Sequence, residues 1–396
     1  MKSELHMVGR TQELFNRDVR ALESTLQRMI GSSNFLIIGA AGTIGQAVTI
    51  EIAKREPKSL HLVDLNENLL VELVRELRSR KSASDLDLST YSIDINSPEF
   101  EKLFSEIGQI DYVLNLSALK HVRSEQDEYT LMRMVYTNIF GSTKVAELSK
   151  RYGVKKYFCV STDKATNPVN MMGASKRIME LFLHKESNEL PISMARFANV
   201  AFSNGSLLDG FEQRVKKYQP ISAPNNIRRY FITQKEAGEL CMLSCLLGET
   251  REVFFPKHGN ELQLTLFTQI ARNYIKSKGF EVLECASEQE AREACSNIDK
   301  FKRWPCYFFE SDTTGEKDFE EFYGIYEEVD FDRFANIGVI KNDFNVNKEV
   351  LMKFEDNVRQ MYVEKNWSRA DLIHQFKSVL DNFDHKETGK FLNQRM

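Results

Sequence analysis

The segment NFLIIGAAGTIGQAVTIEIAK, residues 34–54, constrains the fold more than any other part of the chain. An apolar run of strand character enters a turn carrying Gly39, Gly42 and Gly45 and leaves as a helix. Glycines at this spacing permit a tight turn and close backbone approach, and the helix N-terminus offers amide donors to a pyrophosphate. Thr43 and Ile44, between the second and third glycines, belong to the same expected cofactor site. Asp64 stands nineteen residues after Gly45, at the end of the run SLHLVD. A carboxylate there accepts hydrogen bonds from the adenosine ribose and repels a 2'-phosphate. No arginine immediately follows it, so the expected cofactor is NAD rather than NADP. Asp94 and Ile95, after a further short segment, are expected beside the adenine.

Downstream, short apolar runs alternate with helical segments: SLHLVD, DYVLNLSA, KKYFCVST and PISMARF follow the first strand in order. That rhythm predicts an α/β fold, a Rossmann-type doubly wound parallel sheet with helices on both faces. Residues 34–204 are read as the NAD-binding part, with the run EVFFP at 252–256 rejoining its sheet. Turn-rich stretches such as SNGS and SAPNN mark 205–345 as a smaller substrate-binding part. Leu14, Phe15, Val19, Leu22, Leu26, Met29 and Ile30 recur at helical spacing, so residues 1–33 are expected to hold an amphipathic helix packed on the body or on another subunit. Residues 346–396 read as a charged helical tail, in which Ser368 and Asp371 form a capping box and Trp367 staples Leu372.

With 53 basic and 57 acidic residues interspersed in 396, the chain has no global field favouring nucleic acid or an anionic membrane. It shows no signal-peptide core and no apolar run long enough to span a bilayer, so a cytoplasmic protein without membrane insertion is expected. The six cysteines lack a CxxC pair, which points to reduced thiols rather than disulfides or a zinc site, and no metal is expected. Cys241 and Cys245, one helical turn apart, read as buried packing thiols.

The stretch VSTDKATNPVNMMGASKRIMELF leads from a strand into a helix carrying Lys176. Short-chain dehydrogenases have at this place a Ser or Thr and a YxxxK pair, whose lysine lowers the tyrosine pKa. Here Met172 occupies the tyrosine position, and a thioether is no base. With that departure, the stretch resembles the sugar-nucleotide 4,6-dehydratases of bacterial polysaccharide synthesis, in the branch where methionine replaces tyrosine. Five further segments resemble the same family. They are NLSALKHVRSEQD, MVYTNIFGSTKV with Asn138, ARFANVAFSNGS, IRRYFITQKEAGEL and the Gly-Glu-Lys stretch SDTTGEKDFEEF. The resemblance runs from about Asn34 to Phe322.

It implies a reaction on UDP-N-acetylglucosamine or a close relative. C4 is oxidised by NAD, water is lost across C5 and C6, and the hydride returns to C6, leaving no net redox change. By resemblance Lys164 is the C5 base and Asp163 the acid for the departing C6 oxygen, which requires opposite pKa shifts in the pair. Thr162, through water, or Asp163 itself takes the 4-hydroxyl proton. Lys176 orients the nicotinamide ribose, beside Ser117 and Ala118 on the cofactor side. Lys120, His121, Asn199 and Arg229 are expected on the substrate, the arginine at the diphosphate. Methionine at position 172 implies retention at C5. A 4-epimerase on the same fold, a dehydratase of inverting or GDP-sugar type, and a non-catalytic NAD-binding scaffold are the alternatives, and a homo-oligomer is expected.

Overall fold

The structure is a computed structural model that describes residues 2–80, 86–259, 262–311, 321–342, 346–381 and 383–385. In chain order its strands are β1 (Asn34–Ile38), β2 (Ser59–Asp64), β3 (Leu88–Ser92), β4 (Tyr112–Asn115), β5 (Lys156–Val160), β6 (Ile192–Ala195), β7 (Asn199–Val200) and β8 (Ile221–Pro224). There follow β9 (Arg228–Arg229), β10 (Phe231–Ile232), β11 (Glu252–Pro256), β12 (Thr265–Leu266), β13 (Glu281–Cys285), β14 (Arg303–Phe309), β15 (Glu328–Asp330) and β16 (Ile337–Lys341). The main sheet has the order β15-β16-β11-β6-β5-β4-β1-β2-β3. From β11 to β3 every pairing is parallel, and β16 and β15 add an antiparallel edge beyond β11.

Each central strand has the near-continuous apolar character of a strand covered on both faces. All five residues of β5 are buried, as are Phe35 to Ile38 of β1. The expected strands are all present, and EVFFP rejoins the sheet beside β6 with Val253 opposite Met194. The strand order reverses direction between β1 and β4, and there the carboxyl ends open a crevice, the usual ligand position of a doubly wound sheet.

A second apolar cluster lies outside this layer. Phe211, Ile221, Ile270, Tyr274, Trp304 and Cys306 pack around the three-stranded sheet β13-β14-β8. All six cysteines are free thiols, with Cys241 and Cys245 buried on one helix. Among the described residues, no helix is long and apolar enough to cross a membrane.

The N-terminal segment differs from the single helix that its periodicity suggests. A short helix Lys2–Met7 precedes the longer Asn16–Gly31, and Leu14 and Phe15 are buried ahead of it. Tertiary bonds fix the break: the Arg10 guanidinium donates to both oxygens of Glu236 at 2.7 and 2.6 Å, and the Leu14 amide donates to the same carboxylate. Asp18 accepts from the backbone amides of Ala335 and Asn336, so this segment packs on the body of its own chain. In the tail, helices Lys348–Glu364 and Arg369–Val379 bury Leu351, Phe354, Val358, Leu372 and Phe376 in the main core. The Ser368 and Asp371 capping box is formed as expected.

Candidate active site

The glycine turn is shaped by the absence of side chains. Gly39 has φ +74°, and a Cβ there would meet the Ser117 amide nitrogen at 2.7 Å. A Cβ on Gly45 would run into the Gly39 carbonyl oxygen, because the helix Thr43–Ala53 starts directly against the strand end. This is a cradle that side chains would fill. Asp64 accepts from the Ala41 amide at 2.9 Å through one oxygen and from the Asn66 amide at 2.9 Å through the other. Each oxygen keeps a lone pair for a ribose hydroxyl.

A cavity of about 600 Å³ opens from this turn. Gly39, Gly42, Asp64, Asp94, Ile95, Ser117 and Ala118 line it. Gly45, Thr43, Ile44 and Lys176 do not. Gly45 acts through backbone approach, and the Thr43 hydroxyl accepts from the Asn204 amide at 3.0 Å, tying the turn to the loop after β7. Ile44 packs against the main core. Asn115, which opens the NLSALKHVRSEQD segment with no role assigned to it by the sequence, accepts from the Ser117 amide and hydroxyl at 3.1 and 2.6 Å.

At the end of β5 the chain forms a single tight turn, Asp163–Ala165. Thr162 donates to Asp163 Oδ1 at 2.8 Å, and Lys164 Nζ reaches the same oxygen at 3.2 Å. The Asp163 side chain is almost fully buried, whereas that of Lys164 is 19% exposed. Gly173, in the first turn of the helix Met171–Glu186, is what lets this turn and helix meet, since a Cβ there would strike the Lys164 carbonyl oxygen. It sat unremarked in the quoted stretch, although glycine inside a helix costs stability and so signals a packing reason.

On that helix Met172 is buried in the core. Lys176 is also buried, donates to the Val160 carbonyl at 3.0 Å, and has its pKa lowered by burial. Asn138 joins helix and loop: it exchanges hydrogen bonds with the Leu119 backbone at 2.9 and 3.0 Å and donates to Ser175 Oγ at 2.9 Å. The loop so anchored carries Lys120 and His121. Lys120 Nζ lies 3.4 Å from Ser203 Oγ, and burial lowers its pKa. Burial, with the charges of Lys120 and Arg123, lowers His121 to about 4, which leaves a neutral imidazole at neutral pH. Its ring comes so close to Gly205 that a Cβ there would sit 3.0 Å away.

Asn199 on β7 pairs with Phe231 on β10. Its buried Nδ2 has no hydrogen-bond partner among the described residues, an orphaned donor of the kind a ligand satisfies. Arg229 is buried next to Tyr230, whose carbonyl accepts from the Asn199 amide, and it spends one nitrogen on the Arg228 carbonyl at 2.8 Å. The Gly-Glu-Lys stretch, residues 315–317, lies outside the described residues.

Beneath the β5 turn, Arg196 is fully buried and uses its whole guanidinium. It donates to both oxygens of Glu180 at 2.8 and 2.7 Å, to both oxygens of Glu327 at 2.8 Å, and to Thr166 Oγ1 at 3.1 Å. Ser161 donates to Glu180 Oε1 at 2.6 Å. Residues on either side of Asp163 and Lys164 thus rest on one buried network.

Comparison with known proteins shows the family. The sequence pattern of the family described as Polysaccharide biosynthesis protein matches residues 35–294. The capsular polysaccharide biosynthesis protein CapD of Staphylococcus aureus is 29% identical over 274 residues, 68% of this chain and 45% of CapD, so the chain spans about half the length of that relative. A protein of Campylobacter jejuni named UDP-N-acetylglucosamine 4,6-dehydratase (inverting) is 25% identical over 330 residues, 81% of this chain and 88% of that one. Among solved structures, Pen from Bacillus thuringiensis superposes with a TM-score of 0.63 at 21% identity, covering 85% of this chain and 98% of Pen, a likeness of fold. With a match over well more than half its length and the fold and crevice described above, the chain belongs to the polysaccharide biosynthesis protein family.

Proposed function

We propose that this chain is a nucleotide-sugar 4,6-dehydratase acting on UDP-N-acetylglucosamine with resident NAD. The observation that carries the reading is the Thr162, Asp163 and Lys164 cluster at the carboxyl end of β5, with Asp163 buried, its two neighbours half-buried, and Lys164 Nζ 3.2 Å from Asp163 Oδ1. The name of the Campylobacter relative supports the substrate. Bound NAD supplies oxidation at C4 and the return of the electrons at C6. The glycine cradle and Asp64 fit its pyrophosphate and ribose.

The rest falls to the chain's own groups. The Lys164 amine takes the C5 proton, the Asp163 carboxyl gives a proton to the C6 oxygen, which leaves as water, and the Lys164 ammonium returns a proton to C5 as the hydride comes back to C6. Thr162, which donates to Asp163 Oδ1, relays the 4-hydroxyl proton to that carboxylate, which then holds the proton it gives to the C6 oxygen; Met172, a thioether, cannot act as the base. Lys176 positions the nicotinamide ribose. Asn199 and Arg229 hold the substrate's acceptor oxygens, and the neutral His121 serves as a hydrogen-bonding partner rather than a cation. With methionine in the tyrosine place, retention at C5 is the expected outcome, opposite to the stereochemistry in the Campylobacter protein's name.

Incubation with UDP-N-acetylglucosamine in deuterated water, read by mass spectrometry and NMR, tests this. Loss of one water with solvent deuterium at C5 is expected, and the coupling pattern reports the C5 configuration. Lys164→Ala and Asp163→Asn should abolish dehydration while NAD stays bound. An isomer of unchanged mass would establish the epimerase instead, and wild-type turnover in either variant would refute the roles given to the pair.

A further inference from the structure

The cavity at the glycine turn is lined in part by residues the family pattern does not reach. Tyr362 and Trp367, with Tyr136, line it together with Gly39, Asp64 and Ile95. The family match ends at residue 294. Tyr362 stands in the last turn of the first tail helix and Trp367 precedes the second. The three rings form a continuous run, with centroids 4.2 Å apart from Tyr136 to Tyr362 and 6.1 Å from Tyr362 to Trp367.

The tail is fixed in this position. Phe354 packs against Phe140, Phe182 and Phe376, and the Arg359 guanidinium lies 4.6 Å over the Phe140 ring. Trp367 donates its indole N–H to the Glu128 carbonyl at 3.2 Å, and Arg369 donates to the Glu125 carbonyl at 2.6 Å. Tyr136 opens a π turn, Tyr136–Gly141, inserted in an otherwise α-helical stretch. Such insertions re-aim side chains and cluster at functional sites.

We propose that the C-terminal helices are part of the cofactor site: Tyr362 and Trp367, with Tyr136, form an aromatic wall that takes the adenine ring and keeps the dinucleotide from leaving. Flat π faces suit a purine base, and each ring adds stacking beyond its buried area. This rests on NAD being the resident cofactor. A reaction that returns its cofactor to the starting oxidation state gains nothing from exchange, so a wall that slows release suits it.

The test is release of bound NAD from the purified protein, followed by exchange against isotopically labelled NAD, in wild type, Tyr362→Ala, Trp367→Ala and Trp367→Phe. Each alanine variant should exchange roughly three- to tenfold faster than wild type, with circular dichroism unchanged and the phenylalanine variant close to wild type. A second readout needs no loss of a tail ring. In Trp304→Phe, Trp367 is the sole tryptophan, and its emission should change as NAD is removed. Wild-type exchange rates in both folded alanine variants, or Trp367 emission indifferent to NAD, would overturn the proposal. A wild-type protein that neither carries nor takes up NAD would instead defeat the cofactor reading beneath it.

Discussion

One methyl group at position 173 separates cofactor binding from chemistry. A Cβ there collides with the Lys164 carbonyl, so the Asp163–Ala165 turn must move away from the helix, while the glycine turn at Gly39 is untouched. Since misplacement of a reacting group by about 1 Å costs on the order of 10²-fold in rate, Gly173→Ala should lower kcat by about that factor with NAD content unchanged, as single-turnover assays and cofactor analysis would show. Gly39→Ala should act the other way round. Its positive φ and its 2.7 Å approach to Ser117 make the cradle itself untenable, and NAD should be absent from the purified variant. Gly39, Gly42 and Asp64 were legible in the sequence because each answers a backbone or charge requirement tied to a fixed place on a strand end. Thr43 was legible as a member of the turn, but its hydroxyl is directed to Asn204, 161 residues on, which no local pattern encodes.

At the scale of elements, β5, β6 and the helix Met171–Glu186 are joined beneath the site by Arg196 and Glu180. Burial acts to raise the Glu180 carboxyl, yet the Arg196 charge and hydrogen bonds, with Arg177 and Ser161, outweigh it and hold the group at about 2. A carboxyl whose folded pKa lies below its ordinary 4.5 contributes stability that is complete above that value and lost as pH falls toward the folded one. Urea midpoints of the wild type should therefore drop between about pH 4.5 and 2 more steeply than those of Glu180→Gln, which lacks this titration. Equal slopes would show that the network is not what acid breaks. Removing the cation is more severe, because the buried Glu180 and the half-buried Glu327 both lose their bidentate partner. Arg196→Met should cost roughly 3–5 kcal/mol, measurable as a lowered denaturation midpoint at neutral pH. The sequence marked this arginine only as part of the ARFANV run; its two acidic partners, at 180 and 327, lie on other elements.

Across the whole molecule, the two ends of the chain fold back onto the central layer. Phe354 from the tail shares the core with Phe140 and Phe182, so Phe354→Ala should cost about 3–5 kcal/mol, read by chemical denaturation. The same variant should also hasten NAD exchange if the tail carries the aromatic wall. The chain's own pattern determined the parallel sheet, its strand succession, the return of EVFFP and the glycine turn, since these follow from periodicity of two or 3.6 residues and from backbone freedom within a few positions. Only the tertiary structure decided the break in the N-terminal helix, the Glu236 and Asp18 anchors, and the meeting of Tyr136 with Tyr362 and Trp367. Those depend on contacts between residues 222 or more positions apart, where one partner carries no local trace of the other and only the packed fold selects the pair.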